Sequence, residues 1–178
     1  MPISAALRST RTYLLAAALA LAAACGPGGA AVPATAAAAG PALDVEERAL
    51  CSQINAYRRA RGRAPLRVSA PLTRAARWLS RDMAARDYFD HVDSRGRDFG
   101  RRIAAFGFRG PTKGENLAAG APDAAATFAM LKGSPAHRRT MLRANLRVIG
   151  IGRAYGEGSL LGWYWTTTFG AGPRAPGA

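Results

Sequence analysis

The clearest pattern in this chain is an apolar stripe with helical spacing between residues 69 and 86. Small or apolar side chains recur there at intervals of three and four residues, and arginines fill the positions between them. The buried set is Leu72, Ala75, Ala76, Leu79 and Met83. This 3.6-residue period predicts an amphipathic helix with Ser69 as its cap and with the arginines facing water.

Weaker signals of the same kind predict four further helices. One begins near Asp44, where Glu47 completes a capping box, and it ends before Gly62. Segments 97–106 and 122–131 have shorter apolar stripes, the first with Phe99, Ile103 and Phe106 pointing inward. Ser134 followed by Pro135 starts the last helix and places His137 in its first turn.

The strands come late in the chain. Residues 147–155 and 161–170 are rich in β-branched and aromatic side chains, and a glycine-containing turn separates them, which is typical of a hairpin. Gly150 and Gly152 lie on one face and leave it smooth enough for another element to approach closely. Helices interleaved with few strands predict an α+β domain with helices packed on an antiparallel sheet.

The amino-terminal residues predict export. Residues 1–25 combine Arg8 and Arg11, an apolar stretch at 13–21 and small residues, as a signal peptide does. The sequence LAAAC at 21–25 also resembles a lipoprotein signal, so Cys25 is either a lipid anchor or lies beside an ordinary cleavage site. Residues 26–43 predict a flexible linker, 44–171 the folded domain, and 172–178 a disordered tail.

Charge narrows the partners that we expect. The chain has a formal net charge of +14, which favours anionic partners. No aromatic-basic interleaving or zinc-finger spacing accompanies this charge, so we do not expect a nucleic-acid partner. For an exported protein, an anionic envelope polymer or lipid fits better. The sequence does not predict an oligomeric state. Cys51, the other cysteine, is interpreted as a small core residue.

Three residues are the candidates for chemistry. The chain has two histidines, His91 in FDHVD and His137 in SPAHR, and Glu115 lies between them in GENLA, at the start of a predicted strand. Two imidazoles and a carboxylate could hold zinc or another divalent cation and leave one position open for water. On spacing alone, the alternative is that the histidines make local hydrogen bonds and Glu115 caps a turn.

A resemblance to a known family covers residues 55–170. The segments that carry it, in the family's order, are Asn55, YRRARGRAPLRVSAPLTRAARWLSRDMA at 57–84, FDHVD at 89–93, GENLA at 114–118, SPAHRRTML at 134–142, VIGIGRAY at 148–155 and YWTTTFG at 164–170. Together they resemble the CAP superfamily (cysteine-rich secretory proteins, antigen 5, pathogenesis-related; the SCP domain), in its short bacterial form.

The resemblance implies a three-layer α/β/α sandwich with a small central antiparallel sheet and a cavity formed by His91, Glu115 and His137. It also implies an exported envelope protein, expected to be a non-catalytic binding module for a divalent metal or a small ligand. A metal-assisted hydrolase, peptidase-like and using the same three residues as catalytic candidates, is the alternative. One expected acid is missing, since Leu131 replaces the family's tryptophan and Asp123 is the only acid between GENLA and SPAHR.

Overall fold

The computed structural model describes residues 42–171, without the side chains of Thr112 and Lys113. The predicted signal peptide, Cys25, the tail at 172–178 and most of the predicted linker lie outside the described residues. Five helices are present in the described part: α1 Val45–Arg59, α2 Ala70–Arg86, α3 Phe99–Ala105, α4 Ala124–Gly133 and α5 Pro135–Met141. Four strands accompany them: β1 Arg67–Val68, β2 Thr112–Ala119, β3 Val148–Tyr155 and β4 Trp163–Gly170.

The four strands form one sheet in the order β1-β3-β4-β2. The predicted hairpin is confirmed, because β3 pairs antiparallel with β4 from Val148 and Gly170 to Tyr155 and Trp163. β2 pairs antiparallel with the other edge of β4. The expectation of a purely antiparallel sheet needs one correction: the two-residue strand β1 runs parallel to β3, with Arg67 opposite Val148.

Helices cover both faces of the sheet, so the expected three-layer arrangement is confirmed. Side chains alternate between the two faces of a strand. Ile149, Ile151, Trp165 and Phe169 share a core cluster with residues of α1, α4 and α5. The intervening residues of β3 and β4 face the other way, where Val148 packs with residues of α2 and α3, and Tyr164 with residues of α2.

The predicted glycine face accommodates α2. A Cβ atom at Gly150 would lie 2.1 Å from the carbonyl carbon of Leu72, and one at Gly152 would lie 2.2 Å from the backbone nitrogen of Arg77. Neither atom can fit, so the helix backbone rests directly on the strand. The Ser80 hydroxyl of α2 donates a hydrogen bond to the Gly152 carbonyl at 3.0 Å, and it can accept one from the Thr166 hydroxyl, whose oxygen lies 2.9 Å away.

Helix caps explain where most helices begin. The Asp44–Glu47 capping box is present at α1. Asp98 caps α3, so that helix begins at Phe99 and not at Arg97. Asp123 caps α4, which therefore begins two residues after Pro122 and extends to Gly133. Ser69 occupies the cap position of α2, but its side chain makes no capping hydrogen bond, contrary to the prediction.

Two further observations concern the described residues. Cys51 is buried and forms no disulfide within residues 42–171, and burial raises the pKa of its thiol, as expected of a core residue. Within residues 42–171, none of the helices combines the length and the apolar character that crossing a bilayer requires.

Candidate functional site

His91 lies on the loop that joins α2 to α3, and two buried aspartates hold this loop. Asp82 accepts hydrogen bonds from the Tyr88 hydroxyl at 2.5 Å and from the Ser94 hydroxyl at 2.7 Å. Asp93 accepts the backbone N–H of Arg97 at 2.9 Å and the Arg97 Nε at 2.8 Å. The loop is therefore fixed on both sides of His91, whose side chain is 52% exposed.

The hydrogen bonds around Asp82 shift the pKa values of both Asp82 and Tyr88. Burial alone raises the pKa of Asp82, but the hydrogen bonds from Tyr88, Ser94 and Arg86 outweigh burial and lower it. Burial and the Asp82 carboxylate raise the pKa of Tyr88 far above its ordinary value. The pair therefore stays as a carboxylate and a neutral phenol through the physiological range, and the loop is held in one charge state.

Glu115 lies in β2, opposite Thr168 of β4, and it is buried. Both of its carboxylate oxygens are engaged. Oε1 is 3.0 Å from His91 Nδ1, and Oε2 accepts a hydrogen bond from the Arg102 guanidinium at 2.5 Å. Because a carboxylate only accepts hydrogen bonds, Nδ1 of His91 carries the proton, and Nε2 of a neutral ring is left with its lone pair.

Arg102 of α3 is the residue of this site that the sequence interpretation missed. Its side chain has no solvent exposure. Besides Glu115, it donates to the His91 carbonyl at 3.1 Å, and it lies 3.9 Å from Asp93 Oδ2. The signal was available: Arg102 falls three residues after Phe99 and next to Ile103, within the inward stripe predicted for this helix. A buried arginine on such a stripe needs an anionic partner.

His137 lies in the first turn of α5, as predicted, but it does not join the carboxylate. Its carbonyl accepts a hydrogen bond from Asn116 Nδ2 at 3.2 Å, and its backbone N–H is capped by Ser134 Oγ at 3.4 Å. That bond commits the Ser134 hydroxyl to capping. Burial and then the nearby charge of His91 lower the pKa of the His137 ring. The two histidines are therefore near enough to interact electrostatically.

An open cleft of about 450 Å³ lies between α3, β2 and α5, lined by His91, Asp98, Phe99, Gly114, Glu115, Thr140 and Arg143. His137 is not among its lining residues. Gly114 permits the close approach of α5, because a Cβ there would lie 2.7 Å from Thr140 Cγ2. The structure thus brings His91 and Glu115 to one cleft wall and leaves His137 beside it.

The donor set does not fit the three-ligand metal centre that the resemblance implies. Glu115 already neutralises a buried guanidinium, and using it as a ligand would leave Arg102 with only the more distant Asp93 carboxylate, at 3.9 Å, as a counter-charge. Two imidazoles then remain, one fewer than the protein ligands of a usual catalytic zinc site. Within residues 42–171, no three His, Cys, Asp or Glu side chains are grouped to hold a metal ion.

The segment between GENLA and SPAHR supplies no second acid to the cleft. Asp123 is committed to the start of α4, where its side chain accepts the backbone N–H of Ala126 at 2.8 Å. Leu131, at the position of the family's tryptophan, is buried in the main core cluster. Neither residue lines the cleft. General acid–base chemistry by a pair of glutamates therefore has no basis in the described residues.

Fold and site together define a three-layer α+β domain with a histidine and a glutamate on the wall of an open cleft. A family model described as "CAP: Cysteine-rich secretory protein family" matches residues 51–169. The chain therefore belongs to the CAP family. The chain is 33% identical over 124 residues to the YkwD protein of Bacillus subtilis (strain 168). The match covers 69% of this chain and 46% of that protein. The chain thus spans about half the length of this curated relative.

Solved structures confirm the fold. An extracellular protein containing an SCP domain from Bacillus anthracis str. Ames matches with a TM-score of 0.64 at 21% identity, covering 74% of this chain and 45% of that one. An outer surface protein from Borrelia burgdorferi also gives a TM-score of 0.64 at 19% identity, covering 74% of this chain and 98% of that one. At these identities, the likeness concerns the fold alone.

Proposed function

We propose that this protein acts outside the cytoplasm as a non-catalytic binding module, and that the open cleft holds a small polar ligand. The observation that carries the proposal is the state of Glu115. Its two oxygens are bonded to Arg102 and His91, so the carboxylate is neither a free base nor a free metal ligand. What remains for a ligand is a wall of hydrogen-bonding groups with little net charge.

The extracytoplasmic location rests on two independent supports. The amino-terminal residues have the composition of an export signal. The two structural relatives are named as an extracellular protein and an outer surface protein. The net charge of +14 further favours an anionic envelope polymer or lipid as the surface on which the protein works. A lipid anchor at Cys25 would hold it there.

The cleft wall favours hydrogen bonding over chemistry. His91 Nε2 accepts a hydrogen bond when the ring is neutral, and the Thr140 hydroxyl, which donates to the Ala136 carbonyl at 3.3 Å, can accept another. Phe99 supplies an apolar surface on the same wall. A polar ligand can satisfy these groups without any bond being broken, and the buried Arg102–Glu115 pair keeps the wall in place.

A second candidate function is hydrolysis, and one observation favours it. The Glu115 carboxylate orients His91 with Nδ1 protonated, which leaves Nε2 able to accept a proton from water. Against this candidate, the cleft contains no second acid in a general-acid position except Asp98. Asp98 is committed to capping α3, where it accepts the backbone N–H of Arg101. The metal-assisted form of this hypothesis also lacks a third ligand.

The experiment is a titration followed through the two histidine rings. Soluble peptidoglycan fragments and Zn²⁺ alone are added separately to the purified chain, and the ring protons are observed by NMR. We expect the fragments to shift the His91 signal and stoichiometric Zn²⁺ to leave the thermal midpoint unchanged. Neither fragments nor model peptides should be cleaved.

Two variants serve as the comparison. His91→Asn removes the cleft nitrogen, and Asp90→Asn changes the charge of the same loop while keeping the side-chain oxygen that accepts the Val92 N–H. Cleavage that His91→Asn abolishes and Asp90→Asn retains would establish the hydrolase instead. A submicromolar affinity for zinc that depends on both histidines would overturn the conclusion that these residues do not form a metal centre.

A further inference from the structure

The turn between β3 and β4 exposes a cluster of apolar side chains away from the cleft. Leu160 is 86% exposed, Tyr155 59% and Leu161 37%, and Trp163 is partly buried beside them. The Tyr155 and Trp163 rings are in contact, with centroids 5.2 Å apart. We call these four residues the hairpin tip. Two adjacent exposed leucines next to two aromatic rings form a contiguous apolar patch rather than scattered surface residues.

The hairpin tip is held in one conformation. The backbone N–H of Leu160 donates to Asp87 Oδ1 at 2.9 Å, and the Tyr164 hydroxyl donates to the same oxygen at 2.9 Å. Ser159 Oγ donates to the Gly156 carbonyl at 2.8 Å. These bonds tie the turn to the end of α2. Its apolar side chains are therefore presented to solvent without an ordering step, which lowers the entropic cost of binding.

Arginines adjoin the hairpin tip. Two surface pockets, both separate from the candidate cleft, share Arg81. The first also contains Tyr155, and the second also contains Arg86 and Arg95, so the surface is continuous from the tip to these three arginines. Arg86 is paired with Asp82, and Arg95 lies over the Trp78 ring at 5.3 Å. Arg81 has no ion pair within residues 42–171. Among the residues that line the first of these pockets, Glu157 is the one acid.

We propose that the hairpin tip and the arginines at 81, 86 and 95 form a docking surface for a bilayer with anionic headgroups. Leucine side chains would enter the interface, Tyr155 and Trp163 would lie at headgroup depth, and the arginines would face the phosphates. The inference rests on the envelope location of the proposed function and names the residues that would contact lipid; it is independent of the candidate cleft, because none of these residues lines it.

The shape and charge favour a bilayer over a protein partner. A stable protein interface uses about 20–30 residues on each side, whereas this tip offers four apolar side chains at one turn. A bilayer needs no complementary shape around the turn, and its negative surface attracts arginines at the level of the headgroups. Charge complementarity therefore favours an anionic bilayer as the partner of this surface.

The experiment uses the full chain and vesicles of phosphatidylglycerol with phosphatidylcholine, compared with phosphatidylcholine alone. Vesicle flotation measures the bound fraction. We expect Leu160→Ser with Leu161→Ser to weaken binding by about tenfold, and Arg81→Gln with Arg95→Gln to weaken binding to the anionic vesicles by about tenfold. The double leucine variant should weaken binding to both vesicle types.

A matched control lies on β1, beside the opposite end of β3. Val68 is 46% exposed and pairs with Ile149, while Arg67 is exposed and pairs with Val148, about 20 Å along β3 from Tyr155. Val68→Ser and Arg67→Gln should change binding by less than about twofold if the surface is specific. Equal effects at both ends would overturn the proposal.

A position-sensitive readout separates this surface from any other part of the chain that contacts lipid. The chain has three tryptophans of its own, so quenching by brominated lipids is compared with that of the parent chain, and the increase should be larger for Leu160→Trp than for Val68→Trp. Equal quenching at the two positions would overturn the proposal. The proposal would also be overturned if the chain bound soluble polyphosphate but not vesicles, and if the leucine variants bound polyphosphate as well as the parent chain does. His91→Asn should leave vesicle binding unchanged. A negative result for the docking surface can therefore be told apart from a negative result for ligand binding in the cleft.

Discussion

Two buried arginines in this domain, Arg58 and Arg102, have opposite surroundings. Both side chains are fully buried. Arg58 donates to the backbone carbonyls of Ala64, Met141 and Arg143, and it has no carboxylate partner within the described residues. Arg102 is paired with Glu115 on the wall of the cleft. The difference distinguishes a charge that holds the fold together from one that sets the charge of a site.

The surroundings of Arg58 show what a purely structural arginine looks like. Burial and then the positive charges of Arg147 and Arg63 lower its pKa, although it remains a cation at neutral pH. Its partners are carbonyls at the end of α5 and in the loop after α1, which are far apart in the chain. It therefore connects α1 to the end of α5, and its own side chain does not line the cleft.

The largest expected effect is on Arg58. Arg58→Met should lower the free energy of unfolding by about 3–5 kcal/mol, because three carbonyls lose their donor in a buried location. Chemical denaturation followed by circular dichroism measures this change. Val68→Ser, on the surface, serves as a control and should change stability by less than about 0.5 kcal/mol. A loss below about 1 kcal/mol would show that water replaces the guanidinium.

Arg102 should give the next largest effect, and a second substitution should reverse much of it. Arg102→Met leaves the buried Glu115 carboxylate with His91 but without its cationic partner, and it should cost about 3 kcal/mol at pH 7. Adding Glu115→Leu removes that charge and should recover at least half of the loss in the same denaturation experiment. If the double variant is as unstable as the sum of its single variants, the two side chains are not coupled and the comparison with Arg58 fails.

His137 should give the smallest effect, visible as pH dependence. Its pKa is lowered below the ordinary 6.5 in the folded chain, so the unfolded chain binds this proton at higher pH. The stability associated with this ring is complete above pH 6.5 and declines as the pH falls through the lowered pKa. His137→Gln should flatten that decline in denaturation curves recorded between pH 5 and 8.

The same histidine tests how closely the cleft residues are coupled. His91→Asn should raise the pKa of His137 towards its ordinary value, since one positive neighbour is removed while burial remains. With His137 then the only histidine in the chain, its NMR titration needs no assignment. An unchanged titration would mean that burial alone accounts for the shift.

The sequence was sufficient for the fold because its signals are local. Helical spacing in α2, the cap at Asp44 and the strand pattern of the hairpin each depend on neighbouring residues. The parallel pairing of β1 could not be predicted, because two residues carry no periodicity. Ser69 shows the limit in another way: a cap residue can be recognised from its position, whereas its hydrogen bond depends on a side-chain rotamer that tertiary contacts decide.

The site was predictable only in part, for a physical reason. His91 and Glu115 were expected to share a cavity, and they form a hydrogen bond at its wall. The sequence did not show that Arg102 would take the second carboxylate oxygen, because that contact joins a helix and a strand whose packing is tertiary. Motifs mark residue types that can bind a metal, but the charge of the surrounding side chains decides whether they are available.

The glycines at 150 and 152 have a consequence for how the molecule can move. A helix whose backbone touches a strand has no compressible layer of side chains beneath it, so α2 cannot slide or rock against β3 without steric collision. The loop carrying His91 and the turn anchored at Asp87 both extend from the far end of this helix. Both are attached to the same end of one tightly packed helix, and we therefore expect their separation to change little when either of them binds a ligand.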